Sequence, residues 1–220
     1  MEALGETVAE SNLTVINDYC QAPGAKTNGV LAGEIGDVGV CSFGAPKPLT
    51  TGEGGIVTTD DPDLAPAVRR ARDNSGVNTV ELPINVRMSD VEAAIGRTQL
   101  DRYSNLVARR RALADTYQEE LPSVVTPQSV PDEHTHVYHR FAIRAPERDA
   151  LADYLAKNDV ETSVGITKPL SEFSCIQTLQ VAECPETMQV LDDYLLLPMH
   201  PRLDTRYARE IALHVMNFYS

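Results

Sequence analysis

The stretch Gly36-Asp-Val-Gly-Val-Cys-Ser-Phe-Gly-Ala-Pro-Lys-Pro-Leu-Thr-Thr-Gly-Glu-Gly-Gly55 holds the densest pattern in the chain. Val38 to Phe43 is an apolar run of strand length, suited to a buried strand. Lys47 follows in a loop, with Pro46 before it and Pro48 after it. Thr50 to Gly55 reads as a tight turn, because glycine reaches positive φ at no steric cost. Ile56 to Thr59 reads as the next strand.

Upstream, Leu13 to Ile16 is a second apolar run, fit for a buried parallel strand, with Asp18 just past its end. Residues 2–11 read as a weakly amphipathic helix before it. Downstream, Asp63 to Arg72 has helical spacing with Leu64 and Val68 inward. Ser89-Asp-Val-Glu92 is a capping box, with serine at N-cap and glutamate three residues on, and it opens a long helix that reaches Leu121. Pro122 to Pro131 changes the composition, and a smaller α/β unit follows. Its expected elements are a strand over 137–143, a helix over 147–157 with Leu151 and Leu155 inward, a strand over 160–166, a strand over 195–199 and a closing helix over 206–218. The fold class is α/β, with a larger domain over 1–115 and a small C-terminal α/β domain over 116–220.

Composition narrows the function. The 220 residues carry 32 acidic and 19 basic side chains, a net charge of −13. Nucleic-acid binding needs a basic face to neutralise phosphate, so that class is excluded. Arg109-Arg110-Arg111 lies within a helical pattern and reads as a solvated face. Cys20, Cys41, Cys175 and Cys184 lack paired metal spacing and read as small buried hydrophobes. His134, His136 and His139 have spacings open to a metal but no carboxylate or cysteine beside them, so no metal is expected. No apolar run reaches the ~18 residues of a membrane span. The start has neither a basic nor an apolar leader segment. The expected setting is cytoplasmic.

Asp18 at a strand end and Lys47 in a turn can meet at the carboxyl edge of a parallel sheet, where ligands of open α/β sheets gather. Taken singly, each residue has a plainer role. A strand-end aspartate caps a helix or closes a turn. A loop lysine is a surface charge, Ser42 a buried hydroxyl, and the glycines only a turn.

The residues together resemble a known family. Val15 to Ala25 is similar to the "viEDaaQa.Ga" segment of the DegT/DnrJ/EryC1/StrS aminotransferases, and Gly36 to Gly55 to their "GdvgcfSF…K.LttGEGG". Leu82 to Asp90 resembles "gyNyRMsd", and Ala93 to Leu100 resembles "aAiGl.QL". The likeness continues through Tyr138 to Ile143 and Leu197 to His200. It implies the pyridoxal-phosphate-dependent transferase fold of type I, aspartate aminotransferase-like, as the remainder of a large domain plus a small one. It implies transfer of an amino group to a nucleotide-linked keto sugar, with glutamate as donor.

By the same resemblance, Lys47 forms the imine with pyridoxal 5'-phosphate and shuttles the proton, and Asp18 pairs with the pyridinium nitrogen. Gln21 contacts the ring's hydroxyl side, and Ser42 holds the phosphate. Asn85 reaches the phosphate of the neighbouring subunit's cofactor, implying a homodimer. Arg87 either binds an anion or is a structural ion-pair partner. Related dehydratases carry histidine at the lysine position, so Lys47 implies transamination.

Two departures stand out. Pro46 and Pro48 replace the family's Thr and Asn, and remove two amide donors. Only 17 residues precede Asp18, so the N-terminal part that cradles the phosphate is expected to be missing. A truncated enzyme with impaired or absent activity alone, one half of a split enzyme, and a non-catalytic interaction or dimerisation module are the readings this leaves.

Overall fold

The computed structural model describes Val8 and residues 13–73, 86–176 and 184–220. The chain forms two compact units, one from Met1–Leu106 with Val130–His139, the other from Val107–Ser129 with Arg140–Ser220.

In the first unit, β1 (Ile16–Asp18), β4 (Val38–Ser42) and β5 (Gly55–Thr58) form one sheet in the order β1-β4-β5. β1 runs parallel to β4 with Asp18 opposite Val40, and β5 returns antiparallel. The register is clasped ahead of the ladder. The Asp37 carboxylate accepts the Val15 N–H at 2.7 Å, and the Val15 carbonyl accepts from Asp37 and Val38. Between β1 and β4, β2 (Lys26–Thr27) and β3 (Val30–Leu31) make a hairpin. Its turn residues Asn28 and Gly29 have φ of 50° and 82°, the positive pair that matches strand twist in a two-residue turn. β7 (His134–Thr135) adds to β2 and so brings 130–139 into this unit.

The parallel strand forms as expected, but it starts later and is not buried. Leu13 and Ile16 are 59% and 66% exposed. Among the described residues β1 is an edge strand, and nothing covers that part of it. The expected helix over 2–11 lies outside the described residues apart from Val8.

α1 (Leu64–Asp73) starts where Asp61 Oδ1 accepts the N–H groups of Asp63 and Leu64 at 2.8 and 3.0 Å. Leu64 and Val68 are half-buried. α2 (Asp90–Glu120) opens on the expected box: Ser89 Oγ accepts the Glu92 N–H at 3.3 Å, and Glu92 Oε2 accepts the Ser89 N–H at 2.7 Å. Ser89→Ala removes one partner of that pair and is expected to cost about 1 kcal/mol. Earlier thermal fraying of the helix's first turns, read by amide exchange, checks this.

The second unit packs the later part of α2 with a sheet of β6 (Thr126–Pro127), β8 (Phe141–Arg144) and β9 (Tyr194–Leu197), all antiparallel. α3 (Arg148–Lys157), α4 (Pro185–Asp193) and α5 (Thr205–Phe218) complete it. Leu113, Tyr117, Phe141, Ile143, Leu151, Leu155, Leu195 and Val215 are fully buried. Apolar residues four apart on α3, Leu151 and Leu155, face this core as expected. α5 is capped by Asp204, whose Oδ1 accepts the Arg206 N–H at 2.9 Å.

Two strands differ from expectation. The run from Val137 is broken by Tyr138 at φ 48°, and pairing begins only at Phe141. The segment 160–166 makes a single bridge, Ser163 to Leu196. The Val160 N–H is already bonded to the Leu155 carbonyl at the end of α3, and the main chain of Ile166 bonds the Tyr194 hydroxyl. Both ends are therefore diverted from a ladder. α4, opened by proline at its first turn, is a helix beyond the expected elements. No helix among the described residues is long and apolar enough to cross a membrane.

Candidate functional site

β4 and β5 are joined by a loop that holds Lys47 at its tip. The Phe43 N–H donates to the Gly54 carbonyl at 2.8 Å, and the Thr51 N–H to the Phe43 carbonyl at 2.9 Å. Thr50 Oγ1 donates to the same carbonyl at 3.1 Å and accepts the Gly52 N–H at 3.0 Å. Gly52 and Gly54 have φ of 89° and 139°, which only glycine adopts without strain. The Lys47 N–H closes a turn onto the Gly44 carbonyl at 3.0 Å, and Leu49 is buried behind it. Proline on either side fixes φ around the lysine. The half-buried Lys47 thus stands on a loop pinned at its base and along its return.

Strand alternation decides which side chains share a face. Asp18 pairs with Val40, so Asp18, Val40 and Ser42 lie on one face, and Asn17, Gly39 and Cys41 on the other. A cavity of about 1040 Å³ on the first face is lined by Cys20, Val40, Ser42, Val57, Val68 and Arg72. On the opposite face, Tyr19 lies across Gly33 and Gly39: a Cβ on either glycine would meet its ring at 2.9 Å. A cavity of about 770 Å³ opens there.

Asp18 is exposed, and its Oδ1 accepts the Cys20 N–H at 2.9 Å. Its carboxyl is held below the usual 3.8, first by hydrogen bonding from the Cys20 thiol and N–H, then by the Lys47 charge. That same charge is felt by Cys20 and Cys41. Asp18 and Lys47 are neighbours electrostatically, yet no ion pair joins them. Burial pushes the Cys41 thiol up to about 11 and raises Cys20 as well. Ser42 Oγ accepts the Gly44 N–H at 3.2 Å, which leaves its own proton to donate.

Of the residues expected to form the site, Asp18 and Ser42 lie on one face at the carboxyl ends of β1 and β4, and Lys47 stands on the loop that follows, its charge felt by Asp18. Gln21 is exposed in the turn just after β1. Asn85 lies outside the described residues. Arg87 is exposed, and its charge reaches Asp73, whose carboxyl is lowered first by the adjacent Arg72. His136 Nδ1 accepts the Tyr138 N–H at 3.1 Å. Among the described residues no three metal-ligating side chains converge. Cys20 lines the same cavity as Ser42, a placement that nothing in its sequence spacing marks. The grouping can hold a cationic ring nitrogen, offer a primary amine and donate a hydroxyl to an anion.

A lysine and a carboxylate at the carboxyl edge of an α/β sheet suit cofactor-dependent group transfer. The model of the DegT/DnrJ/EryC1/StrS aminotransferase family matches residues 1–216, and the chain belongs to that family. It is 33% identical, over its whole length, to a pleiotropic regulatory protein of Geobacillus stearothermophilus, and covers 62% of that protein. It is 30% identical to GDP-perosamine synthase of Escherichia coli O157:H7, again covering 62% of it. Among solved structures, a DegT DnrJ EryC1 StrS aminotransferase from Brucella abortus superposes with a TM-score of 0.92 at 26% identity, over 100% of this chain and 61% of that one. S. venezuelae DesV, solved with a ketimine intermediate, matches at TM-score 0.91 and 27% identity, over 99% and 61% of the two chains. The fold is the expected type I transferase fold, and the chain spans about 62% of the length of these curated relatives.

Proposed function

We propose that the chain is the lysine-bearing part of a pyridoxal-phosphate-dependent aminotransferase acting on nucleotide-linked keto sugars in the cytoplasm, with glutamate as amino donor. The observation that carries this reading is the grouping of Asp18, Ser42 and Lys47 around the ends of β1 and β4. Their chemistry fits the cofactor: a carboxylate held charged, a hydroxyl with a proton to give, and an amine on a pinned loop. Gln21 completes this set, and Asn85 acts toward the cofactor of a second copy in a homodimer. The sugar substrate is supported by relatives named GDP-perosamine synthase and dTDP-sugar transaminases.

When bound, pyridoxal phosphate supplies an aldehyde carbon and a ring that accepts electron density. The Asp18 carboxylate holds the proton on the ring nitrogen. The Ser42 hydroxyl orients the phosphate by donating to it. Lys47 Nζ would anchor the cofactor and, once freed as an amine, would carry the proton from the substrate's amino-bearing carbon to the cofactor's former aldehyde carbon.

The test is covalent. The chain is incubated with pyridoxal phosphate, reduced with borohydride and mapped by peptide mass. A pyridoxyl group on Lys47 is the expected result, and its absence even with an N-terminal partner supplied sinks the reading. Asp18→Asn exchanges a charge-assisted hydrogen bond for a neutral one and is expected to weaken cofactor binding about 10- to 100-fold. Because the Asp18 carboxyl is held below its ordinary value, its charge persists above that value and is lost only as pH falls through the lowered one. Wild-type affinity is therefore expected to carry no Asp18-dependent step between about pH 5 and 8.

A second reading rests on the exposed apolar residues Leu13, Ile16, Val91 and Leu100. They support a chain that works against another polypeptide, as half of a split enzyme or as a non-catalytic module. Supplying a candidate N-terminal partner in the borohydride experiment separates the two. Labelling only with the partner present marks the split enzyme, and none under either condition marks the module.

A further inference from the structure

We propose that Cys20 is a positioning residue that fixes the Asp18 carboxylate and the Ser42 main chain relative to one another at the cofactor edge. This rests on the cofactor reading above and concerns a residue to which that reading gives no role.

The parallel ladder explains why a side chain is needed here. The Tyr19 N–H still bonds the Val40 carbonyl at 3.0 Å, as the ladder requires. The next bond would run from the Ser42 N–H to the carbonyl of Tyr19. That carbonyl instead accepts the Ala22 N–H at 2.9 Å, because the chain turns away after β1. Cys20 Sγ takes the vacated place and accepts the Ser42 N–H at 3.0 Å. The Cys20 N–H, pointing the other way, donates to Asp18 Oδ1 at 2.9 Å. One residue therefore bonds the carboxylate through its main chain and the end of β4 through its side chain.

Cys20 is half-buried and lines the same cavity as Ser42. Burial and the adjacent Asp18 carboxylate keep its thiol protonated at neutral pH, so it serves as a neutral acceptor and not as a nucleophile. Alanine at this position leaves the Ser42 N–H without that acceptor, and a part-buried amide left unpaired loosens the strand end. Serine keeps an acceptor atom with shorter reach.

The experiment has two arms on the whole chain. Amide hydrogen exchange at Ser42 is measured without cofactor. Pyridoxal phosphate is then titrated, reading its dissociation constant and the pH midpoint of the bound cofactor's absorption. Cys20→Ala is expected to speed Ser42 exchange about tenfold, weaken binding about tenfold and shift the midpoint, while Cys20→Ser restores each to within about threefold. Cys41→Ala, on the opposite face, is expected to move none of these. Unchanged exchange in Cys20→Ala overturns the inference, and so does faster exchange with unchanged binding and midpoint. Should the alanine variant fail to fold, the serine variant decides: wild-type protection with wild-type binding supports the proposal, and lost protection with wild-type binding overturns it. A wild-type chain that takes up no pyridoxal phosphate, even with an N-terminal partner supplied, overturns the cofactor reading and this inference with it. That failure shows in the wild-type titration, before any variant is compared.

Discussion

Arginine in place of Lys47 is expected to leave the chain folded while abolishing every trace of borohydride-fixed cofactor. The guanidinium keeps the positive charge that lowers Asp18, so the electrostatics of the strand ends survive. It cannot give up its proton near neutral pH, so it neither attacks an aldehyde carbon nor carries a proton between carbons. The turn onto Gly44 and the buried Leu49 do not depend on the side chain at 47. In the assembled enzyme, amino transfer is expected to fall at least about 1000-fold, the scale of losing a nucleophile that is also the acid–base group. Mass mapping after reduction and a transfer assay measure the two effects. A fixed cofactor elsewhere in the variant would show that position 47 is not the anchor.

The largest stability effect is expected in the second unit, from Phe141→Ala. Phe141 is fully buried on β8, with its ring centroid 4.9 Å from that of Tyr117 on α2. Ile143, Leu195 and Leu155, all fully buried, leave little freedom for the site to collapse. Truncating a buried phenylalanine costs about 3–5 kcal/mol, a large share of the ~5–15 kcal/mol that holds a domain together. The chain has no tryptophan, so denaturant unfolding is best followed by tyrosine fluorescence and by exchange of the Leu113–Tyr117 amides. Protection at those amides should fall by two orders of magnitude or more, on the order of 100-fold. Unchanged protection would place the core elsewhere.

Elements whose determinants are local could be read from the sequence. The capping box at Ser89 and Glu92 closes as its spacing requires, and Leu151 with Leu155 turn inward as a one-turn spacing requires. The buried character of Val38 and Cys41 follows from an uninterrupted apolar run. The resemblance points to Asp18, Ser42 and Lys47, and strand register gives Asp18 and Ser42 a common face. What escaped was set by neighbours distant in sequence. Ile16 is as apolar as Val38, but its exposure depends on what lies beside β1, which the segment does not encode. Val160 looks like a strand residue until its N–H is claimed by Leu155. Cys20 gains a part only because the Tyr19 carbonyl turns away.

The clasp of Val15 by Asp37 at one end of the β1–β4 pair, and of Ser42 by Cys20 at the other, frees the chain between from any duty in alignment. Lengthening the Asn28-Gly29 turn should leave Asp18 and Ser42 side by side, whereas deleting one residue between Val15 and Asp18 would invert the aspartate to the far side of the sheet. Natural length variation in such proteins should therefore collect at that hairpin tip and be absent from the four residues 15–18, a distribution that any set of homologous chains can reveal.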